Sequence, residues 1–223
     1  MEVVANKELW TKYADIICDD NPFHRDEDFA RRFGLEGVIA PGMWTFSNLP
    51  QGNFGYADVT FRKEVYDGTR LQVKINDGNY SFISGDKVML NGRMSRNYLP
   101  PPSLTYSEPE SIFLYTLTED KVAQFLESVG KLGNYEVPSS LLMSLSAPAL
   151  LGYGKDNNLT GIHLKQTFEQ YCPAQLGLIK ITIYKNKVRP NLAVLDNFWT
   201  QGNNLIASGK STITPIQMPI TSP

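Results

Sequence analysis

Nine residues in the first half of the chain reappear near its end without a gap: Gly85-Asp86-Lys87-Val88-Met89-Leu90-Asn91-Gly92-Arg93 aligns with Gly202-Asn203-Asn204-Leu205-Ile206-Ala207-Ser208-Gly209-Lys210. Thr60-Phe61 and Leu71 find counterparts in Thr167-Phe168 and Leu178. A match of this length implies one structural unit used twice. With 223 residues the chain is long enough for two small domains. The expected layout is a first unit over 1–98, an extended linker over 99–118 holding Pro100-Pro101-Pro102 and Pro109, and a second unit over 119–223.

Hydrophobic spacing makes each unit α+β. Leu9, Tyr13, Ile16 and Ile17 recur at helical intervals, and a second helical stretch runs from about Pro41 to Leu49. Strands follow: Val59, Phe61 and Val65 alternate with polar residues, as do Leu71, Val73 and Ile75, with turns at Asp67-Gly68, Asp77-Gly78 and Gly85-Asp86. Beyond the linker the pattern restarts. Thr118 can cap a helix whose apolar face is Val122, Phe125, Leu126, Val129 and Leu132, a Ser/Leu-rich helical stretch covers Val137 to Leu151, and Ile179, Ile181 and Ile183 alternate in a strand.

Chemistry concentrates at one place. Asp19-Asp20-Asn21-Pro22-Phe23-His24 holds carboxylates, a turn and one of only two histidines. Asn-Pro restrains the backbone on both sides of its bond, so Asp19 and His24 can be brought face to face. Imidazole titrates near neutrality and a carboxylate can be tuned towards it, which suits the pair to moving a proton to or from a bound water. The same six residues also read as a helix cap with an exposed histidine. The other histidine, His163, stands just ahead of an expected strand and reads as a strand-edge or surface residue.

Tyr13-Ala14, the Asp19 to Asp26 run, Phe29-Ala30 and the later Ile39-Ala40-Pro41-Gly42-Met43 together resemble the signature of the MaoC-like (R)-specific enoyl-CoA hydratases and dehydratases. The likeness is good over roughly the first hundred residues and weak afterwards. Cys18 stands where that family usually has Gly, and Pro41 where it usually has His. The resemblance implies a double hotdog, with two antiparallel sheets each wrapped around a central helix, joined edge to edge and forming a pseudo-dimer. It implies hydration of 2-enoyl thioesters, or the reverse dehydration, with Asp19 and His24 catalytic, Asn21 supporting their loop and the backbone N–H of Gly42 facing the thioester oxygen. It calls for no cofactor and no metal, since the substrate arrives as a thioester of coenzyme A or of the phosphopantetheine arm of an acyl carrier protein.

The second unit lacks the acid/base run, so one active site per chain is expected, with the second unit giving room to the acyl tail. Trp44 and Phe46, and Trp199 from the other unit, are candidates to line the acyl tunnel, core packing being the alternative. Gly42 has a plainer reading too, as a helix-entry glycine beside Pro41. Arg62, Lys63, Arg93 and Arg96 could meet phosphates of the carrier. Two other functions fit the residues: an acyl-thioester-binding subunit without activity, and a hotdog thioesterase.

Composition narrows the field. A net charge of −2 and the lack of a basic cluster argue against nucleic acid. Two cysteines, Cys18 and Cys172, make no disulfide framework. No apolar run approaches membrane-spanning length, and the N-terminus lacks a signal-like pattern, so a cytoplasmic protein is expected, potentially as a homo-dimer of double hotdogs.

Overall fold

Asn6 opens the first helix, its side chain accepting from the Leu9 N–H, and Cys18 closes it in the left-handed conformation with φ 62°. In the computed structural model, which describes residues 1–50, 53–103, 108–131, 136–157, 159–189 and 191–217, this helix α1 spans Lys7–Ile17 and follows strand β1, Glu2–Val4. Its buried face is Trp10, Tyr13, Ala14 and Ile17; Leu9 and Ile16 of the expected face lie at its margin, only partly covered. A 3-10 turn at Pro22–His24 leads to α2, Glu27–Arg32, and α3, Gly42–Ser47. Met43 to Ser47 of α3 are all buried, as suits a helix enclosed on every side.

Four strands complete the first half: β2 (Tyr56–Phe61), β3 (Arg70–Asn76), β4 (Asn79–Ser84) and β5 (Lys87–Ser95). Asp77-Gly78 turns between β3 and β4 with both φ angles positive, and Gly85 does the same between β4 and β5. Residues 96–103 have no regular structure, but the expected linker ends early: β6, Ser111–Leu117, occupies most of its remainder. It pairs antiparallel with Gly177–Ile183 and buries Tyr115 and Leu117, so Pro109 precedes a strand. The second half continues with α4 (Glu119–Ser128), α5 (Ser139–Ser144), α6 (Ser146–Asp156), β7 (Leu159–Gln170), β8 (Gly177–Arg189), β9 (Leu192–Gln201) and β10 (Asn204–Gln217). Thr118 caps α4 as its sequence suggests, whereas Leu132 and part of the expected linker fall outside the described residues.

The strands form one ten-stranded sheet in the order β1-β3-β4-β5-β2-β7-β10-β9-β8-β6. The expectation is two sheets, one per half, joined edge to edge. The junction is between β2 and β7, which pair antiparallel from Tyr56↔Glu169 to Thr60↔Lys165, so neither half keeps a bare edge there. Read inward from either edge, the order is the same: β1, β3, β4, β5, β2 from one side and β6, β8, β9, β10, β7 from the other. Gly85 and Gly202 both adopt positive φ in equivalent hairpins, and Gly92 and Gly209 both press against a neighbouring carbonyl, so that a Cβ would collide with the Asp58 and Thr167 oxygens respectively.

The other sequence matches shift. Gly92 faces Val59 while Gly209 faces Phe168, so Phe168 corresponds to Val59 and not to Phe61. Val73 pairs Phe82 and Ile181 pairs Trp199, which sets Leu71 against Ile179 and leaves Leu178 exposed. A slip of one residue turns a side chain to the opposite face, and Leu178 shows that consequence. One continuous apolar cluster crosses the junction, joining Trp10, Trp44 and Phe82 to Phe125, Phe168 and Trp199. No helix among the described residues is long and apolar enough to cross a membrane.

Candidate active site

The loop between α1 and α2 is fixed by its own side chains. Asp19 Oδ1 accepts the Asn21 N–H at 3.1 Å, and Asn21 Oδ1 accepts the Phe23 N–H at 3.2 Å. These short-range bonds are what Asp and Asn supply in turns. Asn21 also donates from Nδ2 to the Gly161 carbonyl of β7 at 3.3 Å, tying the loop to the other half. Arg25 donates to the Asp19 carbonyl and reaches the Asp15 carboxylate at 2.7 Å. Beneath the loop, Phe23, Phe29, Ala30 and Ile39 form a small apolar cluster.

Asp19 and His24 are both brought to the same point. Their side chains are only 4% and 10% exposed, and Asp19 Oδ2 lies 3.9 Å from His24 Nε2. That is too far for a direct hydrogen bond and leaves room for one small oxygen to contact both. His24 Nδ1 lies 2.8 Å from the Ile39 carbonyl, which can only accept; Nδ1 therefore carries hydrogen and, in the neutral ring, Nε2 presents its lone pair to Asp19. Tyr13, next to this carboxylate, is held protonated: burial pushes its pKa far up, Asp19 adds to the shift, and its hydroxyl donates to Ser144 Oγ of α5 at 2.7 Å.

Asp19, Asn21 and His24 line a cavity of about 180 Å³. From the first half its walls include Pro41, Gly42, Met43 and Thr45 of the α3 region and Phe61 at the end of β2; from the second half, Leu150 and Tyr153 of α6, Thr160 to Leu164 of β7 and Ile213 of β10. The exposed residues Arg62, Lys63 and Glu64 border it, while Arg93 and Arg96 do not line it. Phe61 packs so closely on Gly42 that a Cβ there would come within 2.6 Å of its ring. Packing against this ring thus favours glycine at position 42. Pro41 has no N–H, so the first free donor of α3 is that of Gly42.

Two expectations fail against this geometry. Trp44 and Phe46 do not line the cavity: the Trp44 indole donates to the Ser128 carbonyl at 2.9 Å and stacks edge-on against Trp10, and Phe46 packs on Phe54 and Tyr80. With α3 enclosed all round, these rings meet the core on the side away from the cavity, where Trp199 also packs, against Phe168. His163 is no surface residue. It lies within β7, lines the cavity, stacks on Phe61 at 6.2 Å, and has its Nε2 shielded from solvent. Burial, and to a smaller degree the nearby His24, lowers its pKa from 6.5 to about 4, which leaves it neutral. The wall from α6, β7 and β10 carried no local motif and depends on the sheet junction. Among the described residues no cluster of three or more His, Cys, Asp or Glu is arranged to hold a metal.

No family model and no curated protein matches the sequence. Solved structures do. A MaoC-like dehydratase superposes with a TM-score of 0.67 at 11% identity, over 96% of this chain and 95% of its own. A Mycobacterium tuberculosis protein described as having a double hotdog fold gives 0.62 at 11% identity, over 97% and 94%. A Novosphingobium aromaticivorans protein provisionally assigned as a thioesterase gives 0.50 at 13% identity, over 79% and 88%. With a loop that unites Asp19, Asn21 and His24 beside the N-terminus of a buried helix, and with nearly complete superposition, the fold of this chain is that of the MaoC-like dehydratases.

Proposed function

We propose that this chain is a fused pair of hotdog units that adds water to 2-enoyl thioesters, or removes it from 3-hydroxyacyl thioesters. The observation that carries the reading is the buried pair of Asp19 Oδ2 and His24 Nε2 at 3.9 Å, at the wall of a mainly apolar cavity. A water held by both would attack C3, giving up one proton to the pair. The pair returns a proton to C2, so hydroxyl and hydrogen are added across the double bond with no net change in the enzyme. Negative charge gathers meanwhile on the thioester oxygen, which the Gly42 N–H would receive, while Asn21 would keep the loop in position.

Arg62 and Lys63 stand at the exposed border, where the phosphates of coenzyme A or of a carrier-protein arm would pass. No step calls on a cofactor. The palindromic strand order supports reading the chain as a pseudo-dimer whose first unit supplies the acid/base pair and whose second widens the acyl site. The thioesterase reading draws on a shorter and looser superposition. The two chemistries separate in one cuvette. A hydratase bleaches the enoyl-thioester absorbance of crotonyl-CoA and longer enoyl-CoAs with no thiol released. Release of free thiol from saturated acyl-CoA, with the enoyl absorbance untouched, would overturn the proposal.

A further inference from the structure

Positive charge gathers on one face of the sheet. Residues 159–217 carry six Lys or Arg and two Asp or Glu, a net +4 within a chain of net −2. Lys165 and Lys187 lie far apart in sequence, and strand pairing brings them into one row. Directly paired residues share a face, and the register runs Lys187↔Val194, Val194↔Thr212, Thr212↔Lys165 and Lys165↔Thr60 across β8, β9, β10, β7 and β2. The flanking positions Ala193, Leu195, Ser211 and Val59 are buried, so the row stands on the face away from the core. Lys165, Lys187 and Arg189, two residues along from Lys187, are all exposed. One end of the row meets the mouth of the cavity. Leu164, 37% exposed, lines the cavity immediately before Lys165, and Arg62 and Lys63 at its border follow shortly after Thr60. These cations also differ in their partners. In the first half Lys7, Lys12, Arg25, Arg31 and Arg70 each meet a carboxylate, whereas within 159–217 only Lys210 does, at Asp196, among the described residues. Unpaired like charges on one face sustain a positive potential that draws an acidic partner.

We propose that this face docks a small acidic carrier protein, so that the thioester reaches the cavity on a carrier's phosphopantetheine arm; the inference rests on the hydratase reading above. The extent of the charged field separates the two thioester carriers. From Thr60 on β2 to Lys187 on β8 is four strand spacings, about 19 Å. Coenzyme A keeps its phosphates on one small nucleotide, which Arg62, Lys63 and Lys165 at the mouth suffice to meet. Lys187 and Arg189 then have nothing on coenzyme A to contact, whereas a protein surface covers the whole span. A nucleic acid or an anionic membrane would also answer to positive charge, but neither brings a thioester to the buried acid/base pair.

The test pairs calorimetric binding of an unacylated acyl carrier protein to the full-length protein with hydration rates on crotonyl-carrier protein and crotonyl-CoA. The carrier should bind, with a Kd that rises about tenfold between about 50 and about 300 mM salt. Lys187→Glu combined with Arg189→Glu should weaken carrier binding at least about tenfold and lower the ratio of carrier to coenzyme A rates by a similar factor. Lys165→Glu, in the same row, should act in the same direction, and circular dichroism checks the fold of each variant. Failure of the carrier to bind, binding that survives these charge reversals, or tighter binding of a DNA duplex or of anionic phospholipid vesicles than of the carrier would overturn the docking face. Carrier binding that the reversals abolish, with neither thioester hydrated, would keep the face and reject the hydratase reading. Hydration of crotonyl-CoA without carrier binding would do the reverse.

Discussion

Asp19 is positioned by bonds that begin at the end of α1, and the weakest element there is Cys18. A non-glycine residue at φ 62° costs on the order of 1 kcal/mol in the left-handed region, and the side chain at this position is exposed. Cys18→Gly is therefore expected to raise stability by about 0.5 to 1 kcal/mol in urea unfolding, without lowering turnover. His163 gives a pH signature. Its pKa is 6.5 in the unfolded chain and about 4 in the folded one, so between these values only the unfolded state takes up the proton. Stability is thus unaffected by His163 above 6.5 and falls as pH drops through the window, by up to about 1.4 kcal/mol per unit. His163→Phe should lose less stability than wild type between about pH 7 and about pH 5, as read by paired urea melts. Trp44 belongs to the core. Trp44→Ala is expected to cost about 3 to 5 kcal/mol and to leave relative rates over a series of acyl lengths unchanged.

At the level of elements, what could be read from sequence followed local rules. Helices α1 and α4, the Asp77-Gly78 turn and the buried Ile179, Ile181 and Ile183 were legible because capping, turn chemistry and periodicity act over a few residues. Strand β6 was hidden in a proline-rich stretch, since an edge strand pairs on one side only and exposes Ile112 and Leu114. The register of the repeat was legible only where glycine marked it. Gly92 and Gly209 face backbone carbonyls in both halves, whereas Leu178 looked equivalent to Leu71 by type and proved to be one residue away from the true counterpart. Gly209→Ala should accordingly destabilise by at least about 2 kcal/mol, because the new methyl meets the Thr167 backbone, which has no rotamer to yield. A melt within a few tenths of wild type would show that β7 and β10 can separate there.

For the whole molecule, the catalytic loop was legible as a motif and its surroundings were not. Asp19, Asn21 and His24 fall within six residues, but the wall opposite comes from α6, β7 and β10, far along the chain and brought to the loop by packing between the halves, the β2 and β7 junction included. Trp44 bonding Ser128 and Tyr13 bonding Ser144 show the halves sharing one interior. A chain ending near Tyr98 would expose β2 and much of this core, and is expected to be insoluble or unfolded by circular dichroism; a soluble folded monomer would contradict a shared interior. The role of Asp19 and His24 is decided by following enoyl-thioester absorbance with wild type, Asp19→Asn and His24→Ala at equal concentration, each checked for fold by circular dichroism. Wild type should hydrate the substrate and each folded variant should be slower by about a hundredfold or more. Near wild-type turnover in either folded variant would show that the reaction does not pass through this pair.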